Sequence, residues 1–90
     1  MRAIDQIPPS QRSRVRFVAR QAWIECVGDF DNAAVLVDMR MGREVGGAWV
    51  LSACQVAKVF LTHWDQNGIS EPSSVAVAGE PFTTFEDDET

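Results

Sequence analysis

The amino-acid sequence predicts a mainly α fold: a small three-helix domain over residues 1–72, then an extended segment or short β-hairpin with an acidic tail over residues 73–90. Three observations carry this reading. Apolar residues recur at three- and four-residue steps in long stretches, as one face of a helix requires. Glycines stand where each helix has to stop. Beyond Glu71-Pro72 the helical period disappears. A chain of 90 residues supports one domain, which buries roughly 60–65% of its unfolded surface and has a thin stability margin.

The first helix is expected from Gln11 to Val27, after the rigid lead-in Ile7-Pro8-Pro9, with the Ser10 hydroxyl as its cap. Val15, Val18, Ala19, Ala22 and Cys26 define its apolar face, widened by Trp23 and Val27, and Gly28 ends it. Asp31 is the expected cap of a second helix from about Asn32 to Met41, which Gly42 breaks. Here Ala33, Val35, Val37, Met39 and Met41 also alternate as a strand would. Periodicity alone does not separate a short buried helix from a buried strand. The alternative is therefore an α+β fold with residues 33–41 as a strand.

The third helix is the clearest. It follows Gly46-Gly47, and Trp49, Ala53, Val56, Ala57, Phe60, Leu61 and Trp64 form its apolar stripe. Ser52, Gln55, Lys58, Thr62 and Asp65 take the opposite side. Gly68 is placed at the left-handed position just past its end, with Ile69 folding back on it. Further on, Ala78-Gly79-Glu80-Pro81 reads as a turn, and Phe82-Thr83-Thr84-Phe85 as a stretch able to pair back in a hairpin. No repeat or sustained heptad is present.

Charge is unevenly placed. Residues 1–30 carry five arginines against three acids, whereas residues 31–90 carry three basic residues against ten acids, for a net −5. The longest uncharged stretch, Val45 to Ala57, is too short to cross a bilayer. The N-terminus lacks the apolar run of a signal peptide, and the two cysteines fall in apolar helical patterns that suit reduced, buried thiols. A cytoplasmic location is expected.

The chemistry-bearing residues do not assemble into a catalytic or metal site, so no enzyme activity, metal or cofactor is expected. His63 has no ligand or nucleophile at a useful spacing, and two cysteines plus one histidine fall short of four structural zinc ligands. Cys54 and His63 lie on opposite sides of one helix, about 13 Å apart by its ideal rise. Gly46-Gly47 lacks the Lys-Ser/Thr of a phosphate-binding loop.

Two surfaces stand out instead. Arg12, Arg14, Arg16 and Arg20 sit near the start of a helix, where each exposed cation opposes the macrodipole at a cost of about 0.3–1 kcal/mol. Phe17 and Ile24, seven residues apart, form a second apolar stripe opposite the first, which a surface helix does not need. A sandwiched central helix would explain them, and so would a contact surface for a partner or second subunit. The tail joins Phe82 and Phe85 to Glu86, Asp87, Asp88 and Glu89, a combination able to anchor an extended peptide and steer it to a basic partner. These twelve residues are the candidate partner-binding set.

The leading expectation is a non-enzymatic protein-binding module of adaptor or inhibitor type, of the small acidic kind that phages and mobile elements encode, with a protein partner or a homo-oligomer. A nucleic-acid-associated regulator using the arginine helix, and a structural component of a larger assembly, are the alternatives. The arginines ring the first helix rather than lining it, and an acidic domain is repelled by DNA, so direct nucleic-acid binding ranks lower.

Overall fold

The computed structural model describes residues 3–44, 47–75, 77 and 79–82. A single 3-10 turn over Ala3–Gln6 is followed by three helices: α1 (Pro9–Glu25), α2 (Phe30–Glu44) and α3 (Val50–Gln66). No strand occurs among the described residues. The chain is thus a small helical domain, and the α+β alternative falls. Within residues 33–41, Ala33, Val37 and Met41 are fully buried, while Val35 and Met39 are exposed. The segment is helical, and in a helix the four-residue set Ala33, Val37 and Met41 shares one face while Val35 and Met39 point away from it.

The helix ends follow local chemistry, not always at the residues the sequence suggested. Pro8 precedes α1 and Pro9 occupies its first position, where a missing N–H costs nothing and the ring fixes φ in advance. Ser10 therefore lies inside the first turn and does not cap it. Asp29, not Asp31, caps α2: its carboxylate accepts from the Asn32 backbone N–H at 3.2 Å and from the Asn32 side chain at 3.0 Å. Gly42 does not stop α2, which runs through it to Glu44. One exposed glycine costs a helix only about 1 kcal/mol. Trp49 stands just before α3 and packs against the core.

The C-termini of α1 and α3 close with the same motif but different residues. At α3, Gly68 is left-handed (φ 67°), Ile69 N–H bonds to Trp64 C=O at 2.9 Å and Gly68 N–H to Asp65 C=O at 3.4 Å. That is the ending predicted for this helix. At α1, Gly28 N–H reaches Trp23 C=O at 3.0 Å and Val27 N–H reaches Ile24 C=O at 3.1 Å. The left-handed residue that opens this second closure is Val27 (φ 54°), followed by Gly28 (φ 76°). A β-branched side chain is a genuine outlier in that region, and Val27 is 90% exposed, so burial does not compensate it.

The three helices enclose one core. α1 contributes Val15, Val18, Ala19, Ala22 and Trp23; α2 contributes Ala33, Val37 and Met41; α3 contributes Ala53, Val56, Ala57, Phe60, Leu61 and Trp64. Alanines at the helix contacts let the backbones approach, and the aromatics fill the end toward residues 69–82. Trp64 sits at the centre of that end, with ring centroids 6.3 Å from Trp23 and 5.8 Å from Phe60. Ile4 and Ile7 seal the N-terminal side, where the Ser52 hydroxyl donates to Gln6 at 3.0 Å. Ion pairs cross two of the three helix interfaces on the outside: Glu25–Arg40 and Arg14–Glu44 between α1 and α2, Lys58–Asp38 between α2 and α3.

Val27→Gly should raise thermal stability by about 0.5–1 kcal/mol, because it relieves a left-handed strain of about 1–2 kcal/mol and returns part of that as chain entropy. Thermal melts followed by circular dichroism check this, with a rise of about 4–8 °C per kcal/mol for a domain of this size.

Candidate partner-binding surface

Arg16 decides the layout of this surface. It occupies the edge of α1 that also presents Arg20 and Trp23, one and two turns further on. All three side chains are engaged by residues 69–82. Trp23 Nε1–H donates to Ile69 C=O at 2.6 Å, and Arg20 Nε–H to Pro72 C=O at 2.7 Å. The Arg16 guanidinium donates to the carbonyls of Ser73, Ser74 and Val75 at 3.1, 3.2 and 2.8 Å. The segment from Ile69 to Val75 therefore runs antiparallel to α1, as a strap along it.

The chain then returns through a turn, in which Glu80 N–H bonds to Val77 C=O at 3.1 Å, and brings Glu80 back to the same arginine. Arg16 Nε and one terminal nitrogen hold the two Glu80 oxygens at 2.9 and 3.1 Å. Trp64 Nε1–H donates to Glu80 Oε2 at 2.6 Å, and the guanidinium carbon stands 5.8 Å from the Trp64 ring centroid. Arg16 and Glu80 are each only 2% exposed. A charge removed from water is tolerated only when paired and fully hydrogen-bonded, and this cradle meets that condition. Phe82 follows and packs edge-on against Phe60 at 5.8 Å.

Arg16 is consequently buried beneath the strap and not displayed as a surface cation. The other expected residues divide. Arg14, Phe17 and Arg20 come together in an open groove of about 470 Å³ with Ser10, Gln11, Ser13 and Ser74, and Arg16 lies at its edge. Phe17 is 52% exposed there. Ile24 is half-buried and lies outside this groove, as does Arg12, whose Nε–H donates to Ile7 C=O at 3.2 Å. Phe82 belongs to the packed strap. Phe85, Glu86, Asp87, Asp88 and Glu89, and with them the hairpin beyond Phe82, lie outside the described residues.

Glu80 and Trp64 are the residues that sequence reasoning missed here. The available signal was an arginine in register with Ala19 and Trp23 on a buried face, and a lone carboxylate in an otherwise uncharged stretch from Pro72 to Phe85.

Cys26 and Cys54 are free and half-buried rather than enclosed. Burial raises the Cys26 thiol above its ordinary pKa, helped by the charges of Asp29 and Glu25. Burial also raises Cys54, followed by its hydrogen bond to Asp38. Glu25 is held below the usual carboxylate range by its two hydrogen bonds from Arg40, each 2.7 Å. His63 is partly enclosed rather than solvated: its Nε2 is buried and has no hydrogen-bond partner among the described residues, close to Gly79. Its Nδ1 faces the Asn67 amide at 3.4 Å. Among the described residues, no three His, Cys, Asp or Glu side chains gather as metal ligands, and no helix is long and apolar enough to cross a membrane.

Compared with models of known families, with curated proteins and with solved structures, the chain matches none.

Glu80→Ala should cost about 3–5 kcal/mol, because it leaves Arg16 buried without its counter-charge, and chemical denaturation of the full chain measures the loss. The thiols give a separate test. A raised folded-state pKa stabilises the fold below the ordinary thiol value and that stability is lost as pH rises through the higher folded value. Stability should therefore fall above about pH 9, less steeply in Cys54→Ala, and iodoacetamide at pH 8 should label both cysteines more slowly than it labels free cysteine.

Proposed function

We propose that this protein is a non-enzymatic protein-binding module of adaptor or inhibitor type, which engages its partner through the α1 groove around Phe17. The observation that carries the reading is Phe17 itself. It is a large aromatic side chain left half in water on a helix already contacted by α2, α3 and the strap, and it is flanked by Arg14 and Arg20. Aromatic and arginine side chains in a concave, partly enclosed setting are the composition that binding hot spots favour.

A protein partner is supported over nucleic acid by how the cations are used. Among the described residues Arg14, Arg16, Arg40 and Lys58 each face a carboxylate within 3.1 Å. Half of the chain's eight basic residues are thereby neutralised. Phosphate binding needs several unpaired cations on one face and gives a steep dependence on salt. On this face Arg14 is paired with Glu44 and Arg16 with Glu80.

Phe17→Ala should leave the fold unchanged, since the side chain is largely outside the core, and weaken the partner by about 2 kcal/mol, or roughly 30-fold. Quantitative affinity capture from the native host compares it with Val35→Ala, an exposed control on α2. A partner retained equally by both variants would reject the Phe17 groove, and retention that rises steeply at low salt with nuclease-sensitive material would favour nucleic acid.

A further inference from the structure

The strap is held in an unusual way for part of a core. Residues Ser73, Ser74 and Val75 are exposed, Val75 to 64%, while their backbone carbonyls are gripped from below by Arg16. Ile69 and Pro72 are likewise held through their carbonyls, by Trp23 and Arg20. Among the described residues of the strap, the side chains that anchor it are Ile69, packed on the core, Pro72, which is buried, Glu80 in the Arg16–Trp64 fork, and Phe82 on Phe60. Among the described residues of the strap, its own backbone–backbone hydrogen bonding beyond the end of α3 is limited to the Val77–Glu80 turn. Main-chain contacts supplying affinity, spaced anchors supplying selectivity and outward side chains between them are how proteins bind extended peptides.

We infer that the cleft between α1 and α3 is a peptide-binding groove that residues 69–75 and 79–82 occupy as an intramolecular ligand, and that its partner is an extended protein segment carrying a carboxylate followed by Pro-Phe. The occupant is read from the segment seated there. A bidentate guanidinium with a second donor from Trp64 selects a carboxylate over an amide. The Phe60 edge selects an aromatic ring two residues later. The proposal rests on the protein-binding reading above; it shares Arg16, Arg20 and Ser74 with the Phe17 groove but does not involve Phe17.

A segment tethered in the same chain acts at an effective concentration in the millimolar range, so a free peptide competes only when the strap is weakened. The test uses the full chain carrying Glu80→Gln and a fluorescein-labelled synthetic peptide spanning Pro72 to Phe82, which brings the native carboxylate back in trans. Fluorescence anisotropy should show this peptide binding the variant at least about 10-fold more tightly than the unsubstituted chain. A peptide with Gln at the Glu80 position should bind the variant about 10-fold less well. Thermal melts should show the native peptide, and not the Gln peptide, restoring lost stability.

Phe82→Ala, which leaves the Arg16–Glu80 pair in place, is the second variant and should bind the native peptide in the same order. No binding to either variant while both keep their helical circular dichroism overturns the proposal, and so does unfolding of both, which would make the strap core. A doubled mass of the unsubstituted chain that Glu80→Gln abolishes would reject a partner segment in favour of strap exchange between copies. None of these readouts depends on Phe17, so failure here and failure of the α1 groove are told apart by combining Glu80→Gln with Phe17→Ala.

Discussion

The rest of the structure depends on the burial of one positive charge. Arg16 sits inside the molecule because α1 places it in register with Ala19 and Trp23, and a guanidinium there needs acceptors on every side. α3 supplies donors at this point rather than acceptors, since the Trp64 indole N–H also points inward. The acceptors have to come from a third element, and the chain beyond α3 provides them as three carbonyls and one carboxylate. Glu80 satisfies both Arg16 and Trp64. Without it two buried donors on two helices would lose their partner together.

That constraint explains why the described residues between Ile69 and Phe82 are held without helix or sheet. The carbonyls of Ile69, Pro72, Ser73, Ser74 and Val75 bond to side chains of α1, and the Ser73 and Ser74 side chains stay exposed while that of Glu80 is buried. This segment also caps the aromatic end of the bundle, where Trp23, Phe60 and Trp64 meet. A domain of this length has a total stability of only about 5–15 kcal/mol, so the cradle and that aromatic cluster account for much of the margin.

How much of this was legible in the sequence differs by element. α3 was readable almost to the residue, because its apolar stripe, Gly68 and Ile69 are all local signals that point the same way. The boundaries of α1 and α2 shifted by a few residues because two plausible caps lay close together at each start. Pro9 outcompetes Ser10 by preorganising the backbone, and Asp29 outcompetes Asp31 by following the turn at Gly28. Val27 was read as part of an apolar face, and its left-handed conformation had no local sign. The exposed groove was partly legible, through Phe17, Arg14 and Arg20. The cradle was not, because its partners are 64 residues apart, and the register of Arg16 with Ala19 and Trp23 suggests burial without naming the carboxylate that pairs with it. Only the tertiary path of the strap brings them together.

The same path settles why Phe17 is left in water. α1 is contacted by α2, by α3 and, along its Arg16–Arg20–Trp23 edge, by the strap. A helix can be covered on all sides only if a fourth layer reaches the remaining sector, and the strap, which follows α1 to Val75 and comes back to Arg16 at Glu80, leaves Phe17 half exposed. Its course is dictated by the buried charge, not by the apolar side chain one residue further along α1. Phe17 and the groove beside it are therefore a consequence of how Arg16 is neutralised. Ser74 belongs to both, giving a carbonyl to Arg16 and lining the groove with Arg14 and Arg20. A ligand seated against Phe17 would touch the strap at that residue, so the two surfaces are physically continuous, and what binds one meets the element that closes the other.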